Sequence, residues 1–173
     1  MLIFETERLI VRQYNLQDAG IFFLLNSNEE VMRYIRPVVS KEDSYKFLVQ
    51  NIWQYADYPK TGRWAVTEKT SNCFVGSFSL LVMDNDKNKL HIGYALLPDF
   101  WGRGYASELL KQGIGYFFNN HPFDQLYAIT EIHNVPSQKV LLKAGFLQTK
   151  SANEGEKEIY IYTINREEAL KQL

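Results

Sequence analysis

The sequence predicts a mixed α+β fold in which helices pack on a largely antiparallel sheet. Helical patterns come first, strand periodicity dominates residues 64–97, and strands then alternate with helices to the end of the chain. A length of 173 residues is that of one domain, at about 150 residues per domain. Because no repeat, low-complexity segment or linker divides the chain, we expect residues 1–173 to form a single domain.

The first third of the chain predicts one short strand and three helices. Asn15, Asn28 and Ser40 each precede a helical pattern, where a polar side chain can accept hydrogen bonds from first-turn amides. The predicted elements are a strand at Leu9–Arg12 and helices at Leu16–Asn26, Glu29–Ile35 and Ser40–Tyr55.

The middle of the chain predicts a meander of three strands followed by a long helix. The strands are separated by turn-rich segments at 70–72 and 84–88, and the helix at 106–118 repeats apolar residues at helical spacing. The predicted strands are Trp64–Glu68, Phe74–Val82 and Leu90–Leu97. Further elements are expected at Leu126–Ile132 (strand), Asn134–Ala144 (helix), Phe146–Thr149 and Glu158–Ile164 (strands) and Arg166–Leu173 (helical turn).

Composition excludes several classes of protein. Hydrophobic residues at 46% and charged residues at 23% exclude a disordered chain, a collagen and a coiled coil. A net charge of −1 gives no global field for nucleic acid or anionic lipid, so we expect neither partner. Cys73, the single cysteine, excludes an internal disulfide framework, and without a cluster of His, Cys and Asp we expect no metal. No secretory pattern or apolar run of about 20 residues is visible, so the expected location is cytoplasmic.

The segment 98–107 joins a predicted strand to the long helix and contains the strongest candidate site. Gly102, Gly104 and Ala106 allow the backbone to pass close to a ligand. The amides at the start of a helix, together with its dipole, form a cradle suited to a pyrophosphate, and Arg103 can add a charged contact. An ordinary glycine-rich turn is the alternative interpretation, because short glycine patterns are weak signals.

Three separated stretches of the chain share a pattern with a known family. They are Glu5–Arg12, Ile92–Leu96 continuing through Trp101–Glu108, and Asn134–Ser137 with Leu142–Phe146. In order and spacing, over nearly the whole chain, these stretches resemble the Gcn5-related N-acetyltransferases, and more narrowly the branch that acetylates the N-terminal alanine of ribosomal proteins.

The resemblance implies a sheet of about six to seven strands, split between the fourth and fifth strands and flanked by about four helices. Acetyl-CoA is the implied cosubstrate, with its pantetheine arm paired to a strand end and its pyrophosphate on the loop amides. The cosubstrate residues that the resemblance implies are Leu96, Leu97, Gly102, Arg103, Gly104, Tyr105, Ala106, Ser107, Asn134 and Lys143.

The chain departs from the family pattern at two positions near this site. Trp101 stands where the family usually has Gln or Arg, and Leu141 stands where a tyrosine often protonates the departing thiolate. Ser137 is the nearest polar candidate for that role, and Asn134 is implied as its companion. The alternative is that Asn134 only caps a helix and Ser137 is an ordinary first-turn residue.

A third departure concerns the base that deprotonates the acceptor amine. His91 occupies the position where the resembled branch commonly carries a glutamate, and an imidazole can accept a proton at neutral pH. Alternatives are a solvent-facing strand histidine, Glu131, Glu68, or a water chain without a single base. His121 and His133 are expected to be loop residues without special partners.

The expected function is acetyl-CoA-dependent acetylation of a primary amine, by direct attack on the thioester in a ternary complex. The acceptor is a protein N-terminus or a small-molecule amine. Alternatives are a catalytically silent acyl-CoA-binding module and a polyamine or antibiotic acetyltransferase. Since exposed sheet edges allow pairing, the chain is expected to be a monomer or a homodimer.

Most aromatic residues are expected in the core. Trp53, Tyr55 and Tyr58 are less regular and are candidates to cover an acceptor pocket, whereas Cys73 is expected to be an inert thiol. The expected core aromatics are Tyr14, Phe22, Phe23, Phe47, Trp53, Trp64, Phe74, Phe78, Phe117 and Phe118.

Overall fold

A computed structural model describes residues 1–83 and 86–171 and divides the chain into two compact units. The first unit comprises Met1–Ser79 and Tyr94–Tyr105, and the second comprises the described residues of Leu80–Gly93 and Ala106–Leu173. Two strands contribute residues to both units. The expectation of a single domain over residues 1–173 stays a prediction.

The first unit contains five strands in the order β1-β2-β3-β4-β5, together with three helices. Pairing of β1 with β2 and of β2 with β3 is antiparallel. The strands are β1 (Leu2–Glu5), β2 (Leu9–Gln13), β3 (Gly62–Glu68), β4 (Phe74–Met83) and β5 (Asp86–Leu96), and the helices are α1 (Ala19–Asn26), α2 (Glu29–Met32) and α3 (Lys41–Asp57).

The second unit continues from β4 and β5 in the order β4-β5-β6-β8-β7. Strand β5 pairs with β6 in parallel, with His91 opposite Tyr127 and Ile92 opposite Ala128, whereas β6–β8 and β7–β8 are antiparallel. The added elements are α4 (Tyr105–Asn120), β6 (Gln125–Glu131), α5 (Val135–Lys143), β7 (Leu147–Glu154), β8 (Lys157–Asn165) and α6 (Arg166–Leu170).

The mixed α+β class is confirmed, but the number and length of the elements differ from the sequence prediction. The described residues form eight strands and six α-helices, where six to seven strands and about four helices were expected. Strand β1 is new because its four residues are too short for a periodic signal. The expected turn at 84–88 is wrong from Asp86 onward, where β5 has begun, while residues 84 and 85 lie outside the described residues.

Strand β7 extends five residues beyond the predicted end at Thr149. All eight of its residues are exposed, so burial gives no apolar alternation that a sequence pattern could detect. Backbone pairing with β8 holds the strand instead, over a register that runs from Leu147–Thr163 to Glu154–Lys157. Backbone pairing with the next strand of the chain, and not burial, therefore sets its length.

The core of the first unit forms where β3 meets β4. The ring of Trp64, fully buried, stacks on Phe78 at a centroid distance of 6.1 Å, and Phe4 meets Phe78 edge to face at 5.2 Å. A second cluster contains Tyr14 and Leu48. Burial of such large apolar side chains supplies the main stabilisation of the unit.

Two of the aromatic residues expected in the core lie on the surface. Trp53 is 72% exposed and Phe47 is 36% exposed. The buried stripe of α3 follows Ser44, Leu48, Asn51 and Tyr55, so Phe47 and Trp53 project from other faces of that helix. Because Ser44 and Asn51 are polar, a hydrophobicity pattern does not identify this stripe as the buried face of the helix.

Tyr55, a candidate to cover an acceptor pocket, is 8% exposed and is packed in the core. Its hydroxyl donates to the carbonyl of Arg63 and accepts from the amide of Asn51 at 2.7 Å and from Tyr14 N at 3.2 Å. Burial raises the pKa of Tyr55 to about 12, so its hydroxyl stays protonated over the physiological range. The residue therefore joins α3 to the start of β3.

We predict that Gly76→Ala destabilises the protein by about 3 kcal/mol, the upper part of the range for overpacking. A Cβ atom at Gly76 would lie 2.1 Å from the carbonyl oxygen of Ala95 and 2.8 Å from Leu96 Cα. Because both neighbours are backbone atoms of β5, a side-chain rotation cannot remove the clash.

Gly20→Ala is the matched control, because Gly20 is an exposed residue of α1 and a Cβ there meets no atom within 4 Å. It should be neutral or stabilising by up to about 1 kcal/mol, the difference in helix propensity. Urea unfolding of the two variants measures both effects. Equal stabilities for the two variants would contradict the close approach of β4 and β5.

Candidate functional site

The loop that precedes α4 has the backbone geometry of an anion-binding turn. Gly102 has φ 73° and Gly104 has φ 80°, left-handed values that glycine adopts without strain. Left-handed residues alternate here with other backbone conformations, an arrangement that turns successive amides toward one side. The turn leads directly into Tyr105, the first residue of α4, where the first-turn amides have no partner within the helix.

Arg8, in the turn between β1 and β2, contacts this loop. Its Nη1 donates to the carbonyl oxygen of Arg103 at 3.0 Å, and its guanidinium carbon lies 4.4 Å from the centroid of the Tyr105 ring. A Cβ added to Gly104 would lie 3.6 Å from Arg8 Nη2. Arg8 therefore contacts Arg103 and Tyr105, on either side of Gly104, and restrains the turn between them.

A second connection joins the start of α4 to β3. The hydroxyl of Tyr105 donates to Glu68 Oε1, while Ser71 Oγ donates to Glu68 Oε2 at 2.5 Å. The hydrogen bonds from Ser71 and Tyr105 lower the pKa of Glu68. The bond between Tyr105 and Glu68 also raises the pKa of Tyr105. A carboxylate with a lowered pKa is a weaker base, so Glu68 is better suited to hold the loop than to accept a proton.

At the end of β5, the backbone groups of Leu96 and Leu97 point to opposite edges of the strand. Leu97 N donates to Val75 O at 2.9 Å, and Leu97 O accepts from Phe100 N at 3.0 Å. Leu96 O accepts from the indole of Trp101 at 2.7 Å. Because backbone groups alternate along a strand, Leu96 faces the edge opposite to the one at which Leu97 meets Val75. Trp101 thus ties the loop back to the strand that it follows.

In the second unit, His91 lies on β5 between the buried residues Leu90 and Ile92. Its side chain is half-buried, and its backbone is opposite Tyr127 in the parallel pairing with β6. A half-buried position allows a side chain to reach both a ligand and water. The same partial burial also fits the alternative of a half-exposed strand histidine that faces solvent.

The start of α5 is a capped helix terminus. Asn134 Oδ1 accepts from Ser137 N at 3.3 Å, which confirms the predicted cap. The bond uses the backbone amide of Ser137, so the cap does not depend on the serine hydroxyl. Leu141, at the position of the family tyrosine, is buried and 3% exposed.

The second unit also contains a cavity of about 170 Å³ whose walls are mostly apolar. Two lysines, Lys111 and Lys143, stand at this cavity, together with the hydroxyl of Ser107 from the first turn of α4. Apolar walls with a few convergent cations suit a flat, anionic ligand such as a nucleotide. The remaining lining residues are Ile114, Ala144, Ile164 and Ala169.

Comparison with known proteins decides the family. A model of the acetyltransferase (GNAT) domain matches residues 8–147. An uncharacterized N-acetyltransferase of Bacillus subtilis, YoaA, is 30% identical over 146 residues, which cover 83% of this chain and 82% of the relative. The chain belongs to the GNAT acetyltransferase family.

Solved structures of GNAT acetyltransferases share the fold over nearly their full length. RimL, a ribosomal L7/L12 α-N-protein acetyltransferase in complex with coenzyme A, superposes with a TM-score of 0.81 at 16% identity, covering 95% of this chain and 98% of RimL. Spermidine N-acetyltransferase from Vibrio cholerae, in complex with CoA and spermine, gives 0.77 at 17% identity, covering 94% and 98%. At such identities the likeness concerns the fold alone.

Arg8 is the residue of this candidate site that sequence reasoning missed. The resemblance included the stretch Glu5–Arg12 but treated it as one opening strand, whereas the structure has two strands with Arg8 in the turn between them. Its partner Arg103 lies 95 residues further along the chain. Only the position of Arg8 within the matched stretch Glu5–Arg12 could have suggested its role.

Two histidines differ from their expected setting. His121 was expected to have no special partner, which is wrong: its ring stacks with Phe117 at 5.3 Å and Phe123 at 6.1 Å. His133 is exposed, with Nε2 4.0 Å from Glu131 Oε1, and its backbone N donates to the same oxygen at 3.3 Å. Glu131 is thus engaged by the turn that follows β6.

No group of three or more His, Cys, Asp or Glu side chains within residues 1–83 and 86–171 is placed to hold a metal ion. None of the helices in the same residues has the length and apolarity needed to cross a membrane.

Proposed function

We propose that the chain transfers an acetyl group from acetyl-CoA to a primary amine. The observation that carries the proposal is the turn at Gly102 and Gly104, which leads into α4 and is held by Arg8. Amides at a helix N-terminus suit a pyrophosphate, the anionic centre of CoA. Membership of the GNAT family supports the same donor, and the acceptor names of RimL and the spermidine enzyme support an amine acceptor.

The proposed cosubstrate residues fall into three groups. The amides of residues 102–107 receive the pyrophosphate, with the side chain of Arg103 as a further cation. Leu96, whose backbone faces away from Val75, pairs with the pantetheine arm in the manner of an added strand. Lys143, at the apolar-walled cavity, supplies a cation to the nucleotide part.

The proposed reaction is a single direct displacement. The amine nitrogen bonds to the thioester carbon, the C–S bond breaks, and the electron pair leaves on the CoA sulfur. Backbone amides on β5 polarise the carbonyl as its oxygen gains charge. His91 accepts the proton that the ammonium loses before attack, directly or through water. The nitrogen loses a second proton as the amide forms, and this proton replaces the one that Ser137, near the capped start of α5, passes to the CoA thiolate.

A catalytically silent acyl-CoA-binding module is the second candidate. Buried Leu141 favours it, since a leucine cannot protonate the thiolate. Thiol release from acetyl-CoA with a panel of amines decides between the two. The panel contains ribosomal-protein N-terminal peptides, amino acids, polyamines and aminoglycosides. We expect amine-dependent thiol release with one acetyl group added to the acceptor, whereas CoA binding without turnover would establish the silent module.

We predict that Gly104→Asp abolishes acetyl-CoA binding in a folded protein. The new side chain would begin 3.6 Å from Arg8 Nη2, so its carboxylate would pair with the guanidinium that holds the turn and would add a negative charge close to the pyrophosphate, where one like-charge contact costs several kcal/mol. Calorimetric titration measures the affinity, and circular dichroism checks the fold. Gly155→Asp is the matched control, because Gly155 has φ 61° with no atom within 4 Å of an added Cβ. Wild-type affinity in folded Gly104→Asp would place the donor elsewhere.

We predict that Ser137→Ala lowers kcat more than it weakens acetyl-CoA binding, because the thiolate exists only after attack begins. The Asn134 cap should survive, since it uses the backbone amide of residue 137. Steady-state kinetics and calorimetry separate the two effects, with exposed Ser151→Ala as control. An unchanged kcat would limit Ser137 to a structural role.

We predict that His91→Ala lowers kcat by about 10²–10⁴-fold, the usual contribution of a general base, with little change in acetyl-CoA affinity. The acidic limb of the kcat/KM profile should move, and His91→Glu should restore part of the rate. His133→Ala, at a histidine whose side chain is 77% exposed, should match the wild type. Wild-type kinetics for His91→Ala would transfer the role to Glu131 or to water.

A further inference from the structure

Two arginines of the first unit, Arg36 and Arg63, are half-buried without a carboxylate partner. Arg36 follows α2, where its Nη2 donates to Asn26 Oδ1 at 2.6 Å and its guanidinium lies 5.1 Å from the centroid of the Phe47 ring. Arg63 is on β3, and its backbone groups bond with α3. Within residues 1–83 and 86–171, neither guanidinium forms an ion pair.

Other partly buried arginines of the chain have their charge compensated. Arg12 makes a two-pronged contact with Asp18, at 2.7 and 2.8 Å. Arg166 donates to three carbonyl oxygens, those of Phe118, His121 and Phe123, at 2.7, 2.8 and 2.9 Å. A guanidinium stays charged in proteins and loses solvation on burial, so such partners are the rule. Arg36 has an amide oxygen and the Phe47 ring in place of a carboxylate, and within residues 1–83 and 86–171 the Arg63 guanidinium has no oxygen acceptor.

Both arginines lie along one face of α3, because the Arg36 guanidinium lies over Phe47 and the backbone of Arg63 bonds with Asn51, one helical turn further on. Burial lowers the pKa of Arg63, and the positive charge of Arg36 lowers it further. Burial likewise lowers the pKa of Arg36. An anion between the two groups would convert this repulsion into attraction.

A buried hydroxyl close to Arg63 also has no hydrogen-bond partner. Tyr14 is 2% exposed, and its hydroxyl oxygen makes no hydrogen bond. The neighbouring Ser77 hydroxyl donates to Trp64 O at 3.1 Å instead. The two guanidinium groups can only donate hydrogen bonds, and the phenol can donate one as well. A ligand group that only accepts hydrogen bonds is therefore complementary to all three. A carboxylate fits, because its two oxygens match the fork of a guanidinium.

The arginine pair is separate from the glycine turn that receives the pyrophosphate. In the β2–β3 register Leu9 is opposite Glu68, and Gln13 is opposite Trp64. Glu68 bonds to Tyr105 at the turn, whereas Arg63 lies five residues away along β3, or about 16 Å at the rise of a strand. The anion at Arg36 and Arg63 therefore belongs to a different molecule or group from the pyrophosphate.

We propose that Arg36 and Arg63 recognise a carboxylate on the acceptor, so that the preferred substrates are amines that also carry a carboxylate, such as amino acids or peptides. The inference rests on the proposed acetyl transfer and names its substrate class. It opposes a polyamine acceptor, because two uncompensated cations would repel one. Arg36 and Arg63 are specificity residues and take no part in proton transfer.

The test compares acceptors that differ only in charge. Amino acids and dipeptides are assayed beside their C-terminal amides and beside spermidine, with acetyl-CoA as donor. We expect the wild type to prefer each carboxylate over its amide by about 10- to 100-fold in kcat/KM, the range for a hydrogen bond to a charged group. Arg63→Gln and Arg36→Gln should bring this ratio near one, and Arg63→Lys should keep part of it.

Arg33→Gln is the matched control, since Arg33 is an exposed arginine that lies over the Tyr34 ring at 5.8 Å. It removes the same charge and should leave the ratio unchanged. The thermal midpoint of Arg63→Gln should not fall, because one of two repelling charges is gone. A purely structural role would lower the midpoint without changing the ratio.

Equal kcat/KM for acids and amides, a preference for spermidine, or a ratio that survives both glutamine variants would each overturn the inference while acetyl transfer stands. If no amine releases thiol, the proposed function fails, and calorimetric titration of the CoA-bound protein with a dipeptide and its amide then decides the inference. Tighter binding of the dipeptide, lost in Arg63→Gln, would support the carboxylate site. Equal or absent binding would overturn it.

Discussion

The contact of Arg8 with the turn before α4 is the constraint on which the rest of the site depends. A loop with two left-handed glycines has many accessible conformations, and only some of them direct the backbone amides to one side. Arg8 restricts that freedom with a hydrogen bond to Arg103 O and a contact with the Tyr105 ring, and Glu68 restrains the same tyrosine. The amides at the start of α4 are thereby oriented before any ligand arrives, which lowers the entropy lost on binding.

The strand pair β2–β3 carries opposite electrostatic environments at its two ends. Near Glu68, charges are paired: Lys69 lies 2.9 Å from Glu5, and Tyr105 bonds to Glu68. Near Arg63, positive charge is left uncompensated beside a buried phenol. The first end is built to hold a loop, while the second has donors in excess and suits an anionic part of a substrate. The strand pair β2–β3 thus holds the glycine turn at one end and carries the proposed carboxylate site at the other.

Periodicity and capping predicted the elements whose pattern depends on local neighbours. The long helix α4, the Asn134 cap and the strand that carries His91 were all predictable, because each has its signal within a few residues. The full length of strand β7 and the surface position of Trp53 were not, because hairpin pairing of exposed residues and a buried stripe with polar members decided them. The role of Arg8 depends on a partner 95 residues away, and no local pattern records such a contact.

Acetyl-CoA titration followed by amide NMR tests the central claim most directly. If the turn before α4 is the donor site, the amide signals of residues 96 and 102–107 should shift at saturation, and those of the edge strand β7 should not. Chemical shifts report each amide separately, so the result does not depend on knowing the acceptor. Saturable binding whose shifts avoid the glycine turn, or no binding at all, would contradict the assignment of this turn to the pyrophosphate.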